Sequence, residues 1–322
     1  MKDTIEEKSV RLKDSLFSLR TLIGFLVAAA IFYIFFRNFD ISAAVEAASR
    51  ANWLYILPAF LIYYASLPIR GGRWGLLLKP AGHPVDNRAL SRYYFLSWFA
   101  NALLPARIGD LYRAYLLKKN RDISVSLSLG VLFSERVFDL LIIASLTAFS
   151  GIYFRSYLKG STESDNLIFS FMAVMLVVAI FVAAALAIPS LVNIAPVSWR
   201  PKLALFSSGL FKSPTLFPII AISTTLIWLS EALRLFFVFK AFGLETGFLA
   251  ALFISQAALI IMVLPVSPAG LGLVEILMLK ILVSTGLGSD LAGAVTLVDR
   301  IISYWSLLIL GAITYFAGMG DE

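Results

Sequence analysis

Six apolar runs of roughly membrane-spanning length constrain this chain more than any other feature. They occupy residues 21–36, 53–69, 123–153, 166–189, 215–239 and 291–318. A helix needs about 17–25 mostly apolar residues to cross the hydrocarbon core of a bilayer, so only the first run is slightly short. The chain is 60% hydrophobic and 15% charged, against about 45–50% apolar and about 25% charged in soluble domains. These features predict an all-α integral membrane protein.

Two further apolar runs, 93–104 and 249–264, are shorter and end at Leu-Pro pairs. At 1.5 Å per residue the first of them covers only about 18 Å. Lys and Arg accumulate in cytoplasmic loops, and both flanks of 93–104 are basic. This pattern favours a re-entrant hairpin that enters from the cytoplasm and turns near Pro105. The alternative is a tilted, broken full span.

The chain then reads as two similar halves in opposite orientations, because three full crossings separate the two hairpins. Gly109 is matched with Gly272, and Arg136 with Arg300. The prediction is about six transmembrane helices plus two re-entrant broken hairpins, eight hydrophobic segments arranged as an inverted repeat within one membrane domain. Its parts are a cytoplasmic amphipathic segment 1–20, a first repeat 21–153 with hairpin 93–118, and a second repeat 166–318 with hairpin 249–284.

The polar composition excludes several function classes. The chain has no cysteine and a single histidine, His83, so a thiolate nucleophile or a His-based metal site is not expected. It also lacks a phosphate-binding loop of the GxxxxGK type. We therefore predict no catalytic residue, no metal and no cofactor. The net charge of +7 comes mostly from Lys and Arg between apolar spans, which fits loops on a negatively charged cytoplasmic leaflet and not nucleic-acid binding.

This charge pattern also predicts where individual basic residues lie relative to the membrane. Arg70 and Arg73 are placed in a cytoplasmic loop that follows run 53–69. Arg113 and Lys118 are placed at the cytoplasmic surface. Trp98 is interpreted as a packing or interfacial residue.

Ionisable residues within the apolar segments are the candidate site. Each costs at least about 2.5–3.5 kcal/mol if it faces lipid, so these residues are expected to face inward. Non-helical backbone at membrane depth survives only in packed protein or beside a wet cavity, which places a polar cavity at the two breaks. The substrate-binding candidates are Asn101, Arg107, Gly109, Asp110, Arg136, Gly272, Glu275 and Arg300. The candidates for ion coupling or ion pairing are Glu135, Asp139, Glu231, Arg234 and Asp299.

Two interpretations of these charges remain open. In one, they are ion pairs that fasten the helix bundle. In the other, arginines bind an anionic head group, for which the planar guanidinium is well suited.

Four motifs together resemble one known family. They are NALLPARIGDLYRAYLL, ERVFDLL, LPVSPAGLGLVE and DRIISYWSLLILG, and the resemblance extends over residues 15–320. The family is the transmembrane, flippase-like region of lysylphosphatidylglycerol synthases, which includes the membrane half of the multiple peptide resistance factor. Its patterns usually have an acidic residue where Asp110 stands and a glycine where Ala269 stands.

The distribution of Lys and Arg predicts that both termini lie in the cytoplasm. The resemblance implies a protein of the bacterial or archaeal inner membrane that moves lipids between leaflets. Synthase activity is not expected, since that domain is a separate part of the larger relatives. The predicted function is a lipid translocase for an anionic or aminoacylated phospholipid or another lipid phosphate. The alternatives are an enzyme acting on polyprenyl-phosphate-linked substrates, a non-transporting lipid-binding partner of envelope enzymes, and a carrier of soluble solutes whose acidic residues couple to protons. The expected partners are membrane lipids with phosphate head groups; a homo-oligomer and a partner lipid-modifying enzyme are left open.

Overall fold

The computed structural model describes residues 26, 30, 33–37, 40–104, 107–154, 180, 183, 187, 196–210, 213–263 and 267–319. The predicted segment 1–20, most of the predicted spans 21–36 and 166–189, and Pro105 and Pro265 of the two Leu-Pro pairs lie outside these residues. Residues 40–154 are referred to below as the N-terminal half and residues 196–319 as the C-terminal half.

All regular secondary structure in the described part of the chain is helical. Within the described ranges, eleven α-helices have defined bounds: α1 (Ile41–Ser49), α2 (Ile56–Leu78), α3 (Asn87–Leu103), α4 (Ile108–Arg121), α5 (Val125–Phe154), α6 (Arg200–Ser208), α7 (Phe217–Ala241), α8 (Phe248–Val263), α9 (Leu273–Ser284), α10 (Ser289–Arg300) and α11 (Ser306–Met319). A π-helical turn, Ile301–Trp305, joins α10 to α11.

Three helical segments of the described chain are long and apolar enough to cross a bilayer: Trp53–Ala81, Pro214–Ala241 and Ser289–Ala317. The first two contain α2 and α7, and the third combines α10, the π-helical turn and α11. Helix α5 has 30 residues, which is about 45 Å at 1.5 Å per residue. The helical fold and the long apolar helices agree with a membrane protein.

Two helices extend beyond the predicted boundaries. Helix α2 continues to Leu78, past the end of the predicted span 53–69, so Arg70 and Arg73 lie inside the helix and not in a loop. Helix α3 begins at Asn87, because the carboxylate of Asp86 accepts a hydrogen bond from the Ala89 N–H at 2.9 Å. That bond and a second backbone bond hold the pKa of Asp86 below its usual range. Helix capping sets the start of α3, and ion pairing lets α2 continue past its apolar run. Hydropathy registers neither effect.

The two halves pack through matching contacts. Helices α2 and α7 lie against each other at the centre, and each also contacts the next helix along the chain, α3 or α8. Helix α3 packs against α4, and α8 packs against α9, so each half contains a helix pair interrupted by a break. The last long helix of each half then crosses over: α5 packs on α8, and α11 packs on α3. This reciprocal arrangement encloses the polar centre of the molecule.

Two apolar clusters flank that centre. One is formed mainly by the C-terminal half and includes Phe239, Ile254 and Val295. The other is formed mainly by the N-terminal half and includes Trp74 and Leu117. Trp98 packs against both clusters, so the charged side chains lie between two dry regions.

Candidate functional site

A cavity of about 130 Å³ lies where the two halves meet. Seven of the thirteen predicted site residues line it: Asn101, Arg107, Arg136, Glu231, Arg234, Asp299 and Arg300. Of the other six, Asp110, Glu135, Asp139 and Glu275 lie behind the wall and pair with arginines of the site. Gly109 lies in the first turn of α4, and Gly272 is the residue before α9. The structure thus brings the predicted residues together as a lining and a layer behind it.

In the N-terminal half, a closed network of charges lies behind the cavity wall. Arg73 of α2 donates to Asp139 at 2.6 Å and to Glu135 at 2.5 Å, both on α5. Arg113 of α4 donates to the other carboxylate oxygen of Glu135 at 2.8 Å. The side chains of Arg73, Arg113 and Glu135 are 0% exposed. Such a network fastens α2, α4 and α5 together.

Arg136 connects this network to the cavity. Its Nη1 donates to Asp139 at 3.1 Å, and its Nη2 donates to Asp110 at 2.9 Å. Asp110 also lies 3.6 Å from Nε of Arg107. Arg136 is 20% exposed and Arg107 is 37% exposed, so both present part of their guanidinium to the cavity.

In the C-terminal half, two ion pairs reach the cavity directly. Arg234 of α7 donates to the carboxylate of Asp299 on α10 and lies 3.4 Å from Glu231. Arg300 donates through Nε to Glu275 of α9 at 2.8 Å. The second oxygen of Glu275 accepts the Gly272 N–H at 2.7 Å, which orients this carboxylate at the start of α9.

Arg70 lies at the junction of the two halves. It donates from α2 to Glu231 of α7 at 3.0 Å. Its guanidinium carbon lies 4.6 Å from the ring centre of Trp98 and 5.1 Å from that of Trp228. Both distances are within the range of cation–π contact. Arg70 is 3% exposed and lines the cavity.

The ion pairs of the two halves occupy equivalent positions in their helices. Arg73 is the eighteenth residue of α2 and Arg234 is the eighteenth of α7, counted from Ile56 and Phe217. The pair Asp110–Arg136 corresponds to Glu275–Arg300, since each acid is the third residue of its helix.

Counting residues from the helix starts also corrects one predicted match between the two halves, that of Gly109 with Gly272. Gly272 precedes α9 as Arg107 precedes α4, and both have positive φ, 85° and 55°. Gly272 therefore corresponds to Arg107 and not to Gly109.

The breaks next to the cavity have special backbone requirements. Arg107 has φ 55° and Ala269 has φ 47°, a region that residues with a Cβ rarely adopt. Ala269 stands where the family resemblance leads one to expect glycine, and its positive φ is the physical reason for that preference. Gly109 has a different role: a Cβ there would lie 2.1 Å from the carbonyl oxygen of Ser97, so glycine permits the close contact of α3 and α4.

Several hydrogen-bond donors at the cavity have no partner. Among the described residues, Arg300 Nη2, Arg234 Nε and Ser267 Oγ are buried without one, and all three residues line the cavity. Burying such a donor unpaired costs about 1–3 kcal/mol. An anionic oxygen acceptor in the cavity would satisfy them once these side chains turn toward it.

The charge of the lining also favours an anion. Five arginines line the cavity, Arg70, Arg107, Arg136, Arg234 and Arg300, against two carboxylates, Glu231 and Asp299. The formal balance is 5 − 2 = +3. The described residues contain no group of three or more His, Cys, Asp or Glu side chains placed to hold a metal ion. The arrangement can bind a phosphate-like group through guanidinium hydrogen bonds.

Arg70, Arg73 and Arg113 are central residues of the site that the sequence interpretation placed at the cytoplasmic side. Arg113 is instead 0% exposed and lies 4.7 Å from Trp74 and 4.4 Å from Tyr94, measured to the ring centres. The sequence alone carried no such signal for Arg73, because its equivalence to Arg234 is visible only when residues are counted from the helix starts that the structure shows.

Long apolar helices around a charged interior define a multi-pass membrane protein. The family described as "Lysylphosphatidylglycerol synthase TM region" matches residues 21–311. The chain belongs to this family.

Archaeal membrane proteins are among its relatives. A UPF0104 membrane protein of Methanocaldococcus jannaschii is 34% identical over 224 residues, which cover 68% of this chain and 93% of that protein. A UPF0104 membrane protein of Methanothermobacter thermautotrophicus is 31% identical over 294 residues, covering 84% of this chain and 86% of the relative. A third relative, the glycosyltransferase AglD of Haloferax volcanii, is 36% identical over 107 residues, but these are only 17% of its length.

Proposed function

We propose that this protein is a lipid translocase that moves a phospholipid or another lipid phosphate, anionic or aminoacylated, between the leaflets without changing it covalently. The observation that carries this proposal is the arginine-rich cavity with unpaired donors between the two halves. Buried ionisable residues in a membrane protein mark substrate pathways. The head group would enter this cavity while the acyl chains stay in the bilayer.

The matching contacts of the two halves support an alternating-access mechanism. We propose that the halves form an inverted repeat in which α3–α4 and α8–α9 are re-entrant hairpins from opposite sides. Transporters of this type bind substrate at the repeat interface, beside discontinuous helices. Movement of one hairpin against the long helix of the other half, α11 against α3 or α5 against α8, would open the cavity to one leaflet at a time. Both termini would then lie in the cytoplasm.

Arg136 and Arg300 are the proposed head-group ligands. Each lines the cavity and is held by an acid of the adjacent broken helix, Asp110 or Glu275. These carboxylates orient the guanidinium while part of it stays available to a phosphate. An arginine placed in this way can exchange a carboxylate partner for a phosphate partner without becoming an unpaired buried charge.

A leaflet-resolved assay in proteoliposomes tests the proposal. Vesicles of phosphatidylcholine carry a trace of acyl-labelled phosphatidylglycerol, its lysyl ester or a short polyprenyl phosphate, and dithionite then bleaches the label that reaches the outer leaflet. Empty vesicles should lose only the outer label, whereas vesicles with the protein should lose label from both leaflets. No acceleration over empty vesicles for any of the three lipids would refute a translocase.

Single-residue variants test whether transport depends on the cavity arginines. Arg136→Ala and Arg300→Ala should each lower transport about tenfold or more, since losing one partner of a buried charge pair costs about 2–5 kcal/mol. Arg50→Ala, which changes a 77% exposed arginine outside the cavity, should leave transport unchanged. Each variant must elute from size exclusion as the wild type does. Wild-type rates in both cavity variants would assign these arginines to structure.

One relative keeps an enzymatic alternative open. The AglD protein, which matches over part of this chain, is named a glycosyltransferase. An enzyme on polyprenyl-phosphate-linked substrates would leave a covalently changed lipid, so mass spectrometry of the lipids after incubation with polyprenyl-phosphate sugar donors distinguishes the two functions. We expect the lipid masses to be unchanged. Binding without transport would instead indicate a lipid-binding partner of other envelope enzymes.

A further inference from the structure

The groups in the cavity that could recognise a cation are already occupied by the protein's own arginines. A cationic head group is bound by carboxylates and by the faces of aromatic rings. The cavity contains both, with Glu231 and Asp299 as its carboxylates and five aromatic side chains in its wall: Tyr63, Tyr94, Trp98, Trp228 and Tyr304. A cavity built this way would ordinarily suit an ammonium group.

Both lining carboxylates have arginine partners. Glu231 accepts from Arg70 at 3.0 Å and lies 3.4 Å from Arg234. Asp299 accepts from Arg234. An incoming ammonium group would have to displace one of these buried guanidinium groups.

The aromatic faces are covered as well. Arg70 lies over Trp98 at 4.6 Å and over Trp228 at 5.1 Å. Arg234 lies 5.4 Å from the ring centre of Tyr63. The remaining two aromatic residues have an arginine at similar distance, with Arg113 at 4.4 Å from Tyr94 and Arg300 at 5.0 Å from Tyr304.

Most of the lining groups left without partners are donors, and the exception is the acceptor Asn101 Oδ1. The donors include Arg300 Nη2, Arg234 Nε and Ser267 Oγ, which are buried without a hydrogen-bond partner among the described residues. The guanidinium donors among them bind phosphate oxygens and repel ammonium. The charged groups that remain without a full set of partners, Arg234 and Arg300, are therefore both positive.

We infer that the cavity selects anionic phosphate head groups that carry no amine, and that Arg70 determines this selectivity by occupying the cation position. The inference rests on the proposed function, because it names the substrate class of the same cavity. Phosphatidylglycerol and phosphatidic acid fit it, whereas the lysyl ester of phosphatidylglycerol does not. Arg70 contacts Glu231, Trp98 and Trp228, the groups that an ammonium head group would otherwise bind.

Binding to the wild-type protein is the first test. The full chain is placed in phosphatidylcholine nanodiscs and titrated with short-chain phosphatidylglycerol, phosphatidic acid and lysyl-phosphatidylglycerol, with binding followed by calorimetry. The two anionic lipids should bind on the order of tenfold more tightly than the lysyl ester, corresponding to about 1.4 kcal/mol. Equal or tighter binding of the lysyl ester would overturn the inference, and so would the absence of binding by all three lipids.

A pair of variants tests the role of Arg70. Arg70→Gln uncovers both tryptophan faces and leaves Glu231 with one arginine partner, so the affinity ratio should shift toward the lysyl ester by on the order of tenfold. The double variant Arg70→Gln/Glu231→Gln uncovers the same faces without a carboxylate, and its shift should be smaller. A wild-type ratio in Arg70→Gln, eluting as a monodisperse protein, would remove Arg70 from the inference. If the single variant does not fold, the charge-balanced double variant and the wild-type ratio still decide between the two head-group classes.

Measurements of binding and of transport distinguish the proposed selectivity from the proposed translocase function. Selective binding of anionic lipids without leaflet exchange would contradict the translocase but support the selectivity. Leaflet exchange at equal rates for phosphatidylglycerol and its lysyl ester would support the translocase and overturn the selectivity.

Discussion

The two halves of the molecule use the same arginine–carboxylate pair in different surroundings. Arg73–Glu135 in the N-terminal half is fully buried behind the cavity wall, whereas both members of its counterpart, Arg234–Asp299, line the cavity. The difference comes from neighbouring positions. Three residues after the equivalent acids Asp110 and Glu275, the N-terminal half has Arg113 and the C-terminal half has Met278.

A second sequence difference between the two halves lies at the same spacing from an equivalent pair of residues. Three residues after Arg136 stands Asp139, and three residues after Arg300 stands Ser303. The N-terminal half thus gains one arginine and one acid, and these close its ion pair into a network. In the C-terminal half the pair Arg234–Asp299 is joined to Glu231 and lies at the cavity itself, while both halves contain buried arginine donors without partners. The comparison indicates that the N-terminal pair fastens helices behind the wall, whereas its C-terminal counterpart is placed where a ligand can meet it.

Removing the shared carboxylate of the N-terminal network should have the largest effect. Glu135→Gln leaves Arg113 and Arg73 buried with less negative charge around them, and breaking a buried pair in this way costs about 3–5 kcal/mol. The measurement is the free energy of unfolding in mild detergent. Glu46→Gln is the control, since Glu46 pairs with Arg50 at the surface with 63% and 77% of the side chains exposed, and should cost less than about 1 kcal/mol. Equal losses would contradict a fastening role for the network.

The close contact of α3 and α4 should be the next most sensitive feature. Gly109→Ala places a Cβ 2.1 Å from the Ser97 carbonyl oxygen, and the forced separation should cost about 1–3 kcal/mol of stability. Gly72→Ala in α2 is a matched control, because the nearest atom to its Cβ is 3.7 Å away. It should be neutral or slightly stabilising, as Ala forms helix better than Gly. The midpoints of thermal unfolding distinguish the two variants, and a similar loss in both would exclude helix contact as the cause.

Copying the C-terminal residues into the N-terminal half sharpens the comparison further. Arg113→Met and Asp139→Ser each unbalance the network, whereas together they remove one charge of each sign. The double variant should therefore lose less stability than the sum of the single variants, by about 1 kcal/mol. A double-mutant cycle on the free energy of unfolding measures this coupling. Strict additivity would indicate that the two residues act independently.

The smallest expected effect is a gain at the second hairpin. Ala269 has φ 47°, and a residue with a Cβ in this region is strained by about 1–2 kcal/mol. Ala269→Gly relieves the strain but increases the entropy of the unfolded chain, so the net stabilisation should be about 0.5–1 kcal/mol. Ala251→Gly, in the buried interior of α8, should be destabilising by about 0.5–1 kcal/mol. A loss of stability in Ala269→Gly would mean that the Ala269 methyl group contributes more by packing than its backbone loses by strain.

The sequence predicted the helical membrane fold because long apolar runs have few stable alternatives in a bilayer. It also predicted which charges lie inside α5, α7 and α10, since a charge in the middle of an apolar run must face protein or water. Of the two helix pairs broken after apolar runs, the second begins with α8 at Phe248, one residue before its predicted start at 249, whereas the first begins with α3 at Asn87, six residues before its predicted start at 93.

Arg70, Arg73 and Arg113 could not be placed in the same way. Arg70 and Arg73 follow an apolar run and Arg113 lies in a basic stretch, and a local count of charge treats such arginines as part of a cytoplasmic loop. Their acidic partners, Glu231 and Glu135, are 161 and up to 62 residues away in the chain. Only the packing of α2 against α7 and α5 makes these burials favourable.

The sequence by itself determined a multi-pass helical protein of the lysylphosphatidylglycerol synthase TM region family with charges in its membrane interior. These features depend on local hydropathy and on motifs that are contiguous in the chain. The tertiary structure decided which charge pairs with which, that the pair Arg73–Glu135 lies behind the cavity wall, and that its counterpart Arg234–Asp299 lines the cavity. The reason is that the electrostatic cost of a buried charge depends on partners a few ångströms away in space, and these come from helices far apart in sequence.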